Sequence, residues 1–281
     1  MSGLRTDDGL ELTVTAWPAP GPARGTVLLV HGLGEHAGRY AQVGALLGQA
    51  GWHLEAFDQR GHGRSPGARG AIPRPDAMLR DLSRAVDRVR AQHAGPLVVL
   101  GHSMGGLIAA RFVAEALQPQ PAPWSRAVDA LVLSSPALDP GMSAFQRLLL
   151  RVGAWMPDRA LSNGLKPAWI SRDPQVVQAY TQDALVHDRV TPRLVQAIVD
   201  DGAFVRERAA GWRTPTLLLY AGADRCVAPA GSAAFAEAAP PSVVHTRCYA
   251  GLYHEIFNEP EREQVLSELL QWLAARPFAS H

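Results

Sequence analysis

The stretch Leu97-Val98-Val99-Leu100-Gly101-His102-Ser103-Met104-Gly105-Gly106 decides how the rest of this chain is read. Four consecutive apolar residues lead into Gly-His-Ser-Met-Gly, and an apolar, alanine-rich stretch over residues 107–117 leads out of it. That is a buried strand, a sharp turn and a helix, the setting in which the serine of a G-x-S-x-G motif stands exposed at the end of a sheet. Side chains at positions 101 and 105 would collide with the neighbouring strand and helix, and Gly106 extends the allowance for close packing. A free serine hydroxyl is a weak nucleophile, so the motif requires a base and an orienting acid elsewhere.

Outward from this unit, short apolar runs at residues 26–30, 53–57, 130–133, 216–220 and 243–249 read as further buried strands. Helical periodicity separates them. It covers residues 41–49, residues 76–92 (with Met78, Leu79, Leu82, Val86 and Val89 on one face) and residues 260–275 (with Val265, Leu266, Leu269, Leu270 and Leu273). Strands alternating with helices predict βαβ units and a mostly parallel α/β sheet, and the alternation over residues 10–16 adds an antiparallel edge strand. The pattern breaks after Ser134-Ser135-Pro136. Residues 137–212 carry helical patterns and prolines but no strong strand signal. A structureless loop of that length is uncommon in a compact domain, so the segment reads as a helical cap above the carboxyl ends of the strands. The expected organisation is a core over residues 1–136, a cap over 137–212 and the rest of the core over 213–281.

In the α/β-hydrolase arrangement that the serine unit implies, the acid and then the histidine follow the serine along the chain, each after a late strand. Asp224 follows the strand at 216–220, at a carboxyl end where ligand-facing groups collect. His254 follows the strand at 243–249 and precedes the last helix. The rivals fit worse. His245 lies inside a strand, His281 is the final residue, His187 is in the cap, and His102 must point away to free the serine. Asp188, Asp200 and Asp201 also lie in the cap. An oxyanion hole needs two converging backbone N–H groups. Met104 supplies one, and Leu33, in the loop His31-Gly32-Leu33-Gly34-Glu35-His36, is the candidate for the other. A metal reading of His31 and His36 has little to recommend it, since serine chemistry needs no metal.

Composition bounds the rest. Lys and Arg total 27 against 26 Asp and Glu, a net charge of +1 with no block of one sign, which argues against nucleic acid as a partner. Lys166 is the single lysine and reads as coding bias. The two cysteines, Cys226 and Cys248, lack metal-ligand spacing and read as reduced, mostly buried thiols. Cys226, two residues after Asp224, falls close enough to the site for thiol reagents to interfere. The first eleven residues lack an apolar signal core, and no run reaches the roughly 18–20 apolar residues of a membrane span, so a cytoplasmic location is expected.

The cap carries one amphipathic pattern: Phe145, Leu148, Leu149, Val152, Trp155 and Met156, with Gln146, Arg147 and Arg151 between them. Such a helix suits packing on its own domain, and it also suits transient contact with a membrane surface. Phe145, Leu149 and Val152 are its candidates for substrate contact.

The motifs together carry a resemblance. His31-Gly32-Leu33-Gly34-Glu35-His36-Ala37-Gly38-Arg39-Tyr40, Asp58-Gln59-Arg60-Gly61-His62-Gly63-Arg64-Ser65, Gly101-His102-Ser103-Met104-Gly105-Gly106, Leu133-Ser134-Ser135-Pro136-Ala137-Leu138 and Tyr249-Ala250-Gly251-Leu252-Tyr253-His254 are similar to the monoacylglycerol lipase group of α/β hydrolases. That group lies within the set labelled serine aminopeptidase S33 or lysophospholipase-like. The similarity covers nearly the whole chain, and the loop over residues 31–40 is its most specific part. It implies an α/β-hydrolase fold with a helical cap, Ser103 as nucleophile, Asp224 as acid, His254 as base, Leu33 and Met104 as oxyanion donors, and no cofactor. Asp58 and the Gly61-His62-Gly63 turn read as structural. The expected activity is hydrolysis of monoacylglycerols or similar single-chain esters. Short-chain or aryl esters and lysophospholipids are the alternatives, followed by acyl transfer to an alcohol and by a non-catalytic ligand-binding protein. Aminopeptidase activity would need an acidic site for the substrate amine, and none is evident in the sequence.

Overall fold

The computed structural model describes residues 3–276 and 278. The chain opens with a small ribbon, β1 (Leu4–Arg5) paired antiparallel with β2 (Glu11–Leu12). The first core elements follow: β3 (Val14–Trp17), β4 (Gly25–Val30), α1 (Ala41–Gln49), β5 (Trp52–Phe57), α2 (Ala77–Gln92), β6 (Leu97–His102), α3 (Met104–Ala114) and β7 (Ala130–Ser134). A long excursion contains α4 (Ala144–Gly153), β8 (Leu161–Ser162), α5 (Pro174–Gln182), β9 (Arg189–Val190) and α6 (Pro192–Glu207). The chain then returns with β10 (Thr216–Ala221), α7 (Pro229–Ala238), β11 (Val244–Tyr249) and α8 (Arg262–Ala275).

Seven strands form one sheet in the order β11-β10-β7-β6-β4-β5-β3, parallel throughout except for β3, which pairs antiparallel with β5 at the edge. Strands β4 and β6 are buried along their whole length, as parallel strands covered on both faces must be. Alternation decides which layer each residue joins. Leu28, Val30, Val99, Leu131 and Leu218 pack against α2, α3 and the excursion; Val27, Leu29, Val98, Leu100, Val132 and Leu217 pack against α1 and α8. The loops after β4, β6, β10 and β11 all emerge from the same edge, the carboxyl ends of the parallel strands, and this brings the candidate residues within reach of one another.

Several elements depart from the sequence expectation. The alternating run at 10–16 is broken at Thr13, whose N–H binds Ser65 Oγ at 2.9 Å; Leu12 falls on the ribbon and only the following residues form the edge strand. The excursion does contain strand, the two-residue pair Leu161↔Val190 and Ser162↔Arg189, too short to leave any periodic signal. Helix α7 has its mark in Pro229 at the first helical turn, but its alanine-rich sequence has little apolar period. The cysteines are both free, Cys226 half-buried and Cys248 exposed, so the expectation of mostly buried thiols fails. Cys248 lies on β11, an edge strand, where part of the strand meets solvent. Among the described residues no helix is long and apolar enough to cross a membrane.

Candidate active site

Ser103 occupies the junction between β6 and α3 with φ 54° and ψ −122°, a conformation costly for any residue with a side chain. The turn is held open for it by small neighbours. A Cβ on Gly105 would sit 2.1 Å from the carbonyl oxygen of Val30, and one on Gly101 would sit 2.5 Å from that of Gly105. Backbone bonds fix the strained residue from both sides: Ser103 N–H donates to Ser134 O at 3.0 Å, and Ala137 N–H donates to Ser103 O at 2.9 Å.

The two distant residues singled out in the sequence meet this serine. Ser103 Oγ and His254 Nε2 are 2.8 Å apart, and His254 Nδ1 and Asp224 Oδ2 are 2.7 Å apart. The aspartate accepts from Nδ1–H, leaving Nε2 to accept from the serine hydroxyl. Asp224 Oδ1 is occupied separately, accepting from the N–H groups of Cys226 at 2.7 Å and Val227 at 3.1 Å. Burial alone would push the Asp224 carboxyl up, but the paired imidazole and these amides hold it below its ordinary value. For His254 burial works against the charged form, and the Asp224 carboxylate outweighs it, raising the imidazole above its usual range. The ring of His102 lies 4.8 Å from that of His254, and its Nδ1 engages Ser134 Oγ at 3.0 Å. Burial and the neighbouring His254 keep His102 neutral, lowering it to about 4.

The loop after β4 lines the same space. Both ends of Gly32 are tied down, its N–H to Glu35 Oε1 at 2.6 Å and its carbonyl to His31 Nδ1 at 2.8 Å. Leu33 N–H has no acceptor among the described residues. Met104 is the first residue of α3, so its N–H precedes the first intrahelical bond.

Two cavities meet at Ser103. One, of about 420 Å³, is the less apolar of the two and carries charged and polar side chains, among them Glu35, Lys166, Tyr180, Asp183, His187 and Glu255. The other, of about 330 Å³, is mostly apolar, with Met142, Leu149, Leu150, Val190, Val195 and Ile198 in its wall. Leu33 and Cys226 line both.

The remaining candidates fall elsewhere. Helix α4 presents Gln146, Leu149, Leu150 and Gly153, one helical stripe, to the apolar cavity. Phe145 and Val152 lie off that stripe, 67% and 62% exposed, so of the three cap candidates only Leu149 reaches the site. Helix α4 lies against α6, with Gly153 facing Pro192, but none of its residues is fully buried. His245 is exposed and faces Glu268 at 3.4 Å, Asp201 pairs with Arg111 at 3.1 Å, and His281 lies outside the described residues. Asp58 accepts from the N–H groups of Ala37 and Arg64, each at 2.9 Å, a loop-bracing role. His31 Nε2 accepts from Gln59 N–H at 2.9 Å and His36 Nε2 meets Asp183 Oδ2 at 2.8 Å, so both ring nitrogens have protein partners. Among the described residues, one group has the reach of a metal site: Asp224, Cys226 and His254, with ligand atoms within 4.8 Å of one another. Its donor set fits a resident metal poorly, because Asp224 and His254 already bind each other and burial pushes the Cys226 thiol far toward its protonated form.

Sequence reasoning passed over Glu35, Arg39 and Glu255. Arg39 donates to Glu35 Oε2 at 2.9 Å and, through both terminal nitrogens, to Glu255 at 2.6 and 2.8 Å. For Glu35 and Arg39 the signal was their place in the loop over residues 31–40, the most specific part of the resemblance, which gave them no role.

A parallel sheet, a strained serine between strand and helix, and a histidine and an aspartate on later loops define an α/β hydrolase. Residues 21–261 match the family described as serine aminopeptidase, S33. The chain is 36% identical to a monoacylglycerol lipase of Mycolicibacterium smegmatis, over 95% of this chain and 94% of that protein. It is 29% identical to the phospholipase YtpA of Bacillus subtilis, over 93% and 97%. The crystal structure of Paleococcus ferrophilus monoacylglycerol lipase superposes with a TM-score of 0.81 at 36% identity, covering 94% of this chain and 99% of that one. The chain belongs to the S33 serine aminopeptidase family of α/β hydrolases, and the resemblance read from its motifs holds.

Proposed function

We propose that this chain is a serine ester hydrolase that cleaves monoacylglycerols to fatty acid and glycerol through an acyl-enzyme on Ser103. The observation that carries this reading is the meeting at the serine of two cavities, one walled mainly by apolar side chains and one that also carries charged and polar ones. A single-chain ester with a hydroxylated alcohol matches that division: acyl chain toward Leu149, Leu150 and Ile198, glycerol toward Lys166, Tyr180 and His187.

In the first step Ser103 Oγ attacks the ester carbonyl while His254 Nε2 takes its proton. Asp224 holds the tautomer and stabilises the imidazolium. The amides of Leu33 and Met104 receive the developing oxyanion. His254 then protonates the departing glycerol oxygen, and the carbon–oxygen bond breaks to leave acyl-Ser103. Water, losing its proton to the same nitrogen, attacks the acyl carbon and releases the acid. The exposed apolar residues of α4 and its flank, with Trp155 90% exposed, suit contact with a lipid surface from which such a substrate would be drawn. Lysophospholipids are the second reading, favoured by the similarity to the phospholipase and by Lys166 in the charged cavity wall.

The test is a chain-length series of 1-monoacylglycerols beside matched p-nitrophenyl esters, a triacylglycerol and a lysophospholipid. Medium- or long-chain monoacylglycerols should give the highest kcat/KM. Cleavage of short p-nitrophenyl esters alone would remove the lipid reading and leave a general carboxylesterase.

A further inference from the structure

Strands β4 and β11 are separated by β6, β7 and β10, a distance of about 19 Å across the sheet at the usual strand spacing. The loop after β4 carries Leu33, and the loop after β11 carries His254. Strand pairing fixes where each loop starts, not how far apart the loops stand where they converge above the intervening strands. Something else must set the gap between the oxyanion amide and the imidazole.

One guanidinium spans it. Arg39 Nη1 donates to Glu35 Oε2 on its own loop and to Glu255 Oε1 on the other, and Nη2 donates to Glu255 Oε2. Each carboxylate is one step from the chemistry. Glu35 Oε1 also accepts from Gly32 N–H, which precedes Leu33, and from Tyr40 Oη–H at 2.7 Å. Glu255 follows His254 in the chain, and its own N–H donates to Ile170 O at 2.8 Å. The ring of Tyr180 lies over the guanidinium, 4.8 Å from its carbon. The side chains of Glu35, Arg39 and Glu255 are only 4%, 11% and 6% exposed. Planar two-pronged pairing holds direction as well as distance, which a lysine ammonium cannot do.

We propose that Arg39 is a positioning residue, a buried strut that sets the Leu33 loop and the His254 loop at the separation needed to hold the tetrahedral intermediate. The proposal rests on the Ser103–His254–Asp224 reading. A strut of this kind acts in the transition state, not on substrate binding, and a displacement of about 1 Å costs on the order of 10²-fold in rate.

The test uses Arg39→Met, Arg39→Lys and the near-isosteric Glu255→Gln, with p-nitrophenyl butyrate as substrate and a boronic acid as mimic of the tetrahedral adduct on Ser103. Arg39→Met should lower kcat about 10²-fold with KM within threefold of wild type, and weaken the boronate by the same factor as kcat/KM. Arg39→Lys, which keeps the charge but loses the fork, should fall between wild type and Arg39→Met. Glu255→Gln should lose about tenfold in kcat with a retained circular-dichroism spectrum, and it decides the matter if Arg39→Met does not fold. Folded variants with kcat within threefold of wild type, a loss confined to KM, or boronate affinity unchanged while kcat falls would overturn the strut. So would full rescue by Arg39→Lys, which would make Arg39 a charge and no more. Wild-type labelling by a fluorophosphonate separates the two readings. Labelling at Ser103 with unaffected variants removes the strut alone, and no labelling at Ser103 removes the triad and the strut with it.

Discussion

Asp224 divides its work between two oxygens, Oδ2 on His254 and Oδ1 on two backbone amides, so its carboxylate is held in place before it orients anything. Asp224→Asn should keep the fold and lower kcat by roughly 10⁴-fold, because the amide no longer enforces the tautomer that leaves Nε2 free; steady-state kinetics and circular dichroism together check this. The raised pKa of His254 sets the pH response. A general base must be neutral, so kcat/KM should be full at alkaline pH and fall as pH drops through a value above 6.5, the ordinary imidazole figure. The stability contribution of the same pairing has the opposite sense: present below 6.5 and lost as pH rises through the folded value. An acid limb at or below 6.5 in the pH–rate profile would contradict the environment described for His254. These three residues were legible because each follows an apolar strand in a fixed chain order. Glu35, Arg39 and Glu255 were not. Charge carries no periodicity, and the Arg39–Glu255 contact joins residues 216 apart.

At the scale of elements, β6 and α3 are joined by a turn whose geometry leaves no room for substitution. In Gly105→Ala the new methyl would lie 2.1 Å from Val30 O, and backbone cannot swing aside as a side chain can. A loss of about 3 kcal/mol in stability is expected, read as a lowered midpoint in urea unfolding. This turn was fully readable in the motif. Helix α4 was only half readable, since periodicity shows which residues share a face but not what covers that face. Its spacing predicted an apolar stripe; the structure turns Gln146, Leu149, Leu150 and Gly153 to the cavity and leaves Phe145, Leu148 and Val152 outside. Leu148→Ser combined with Trp155→Ser should therefore leave hydrolysis of soluble p-nitrophenyl butyrate unchanged. Hydrolysis of monoacylglycerol presented in vesicles should fall about tenfold, equivalent to roughly 1.4 kcal/mol of lost apolar contact. Equal effects on both substrates would show that this face serves the fold and not a lipid surface.

Across the whole molecule, the sheet gathers four loops at one edge, and residues 137–212 lie against them unevenly. On the side of the charged cavity wall the attachment is dense: His187 N–H donates to Gly34 O at 2.9 Å, His36 meets Asp183, and Glu259 accepts from Ser171 and Arg172. On the apolar side, α4 lies over the cavity with no residue buried. The alternation of strands with helices along the chain, and the mostly parallel sheet it builds, could be read from apolar runs and their periodicity. The pairing of two cavities of different lining at the serine could not, because it depends on contacts between segments far apart in sequence. Each step of the proposed hydrolysis depends on Ser103 becoming covalently acylated. The most direct measurement is intact-mass and peptide mapping after reaction with a fluorophosphonate, alongside hydrolysis by Ser103→Ala. One adduct on Ser103, with no adduct and no ester hydrolysis in the folded variant, is the result predicted. An adduct on another residue, or hydrolysis that survives the substitution, would contradict it.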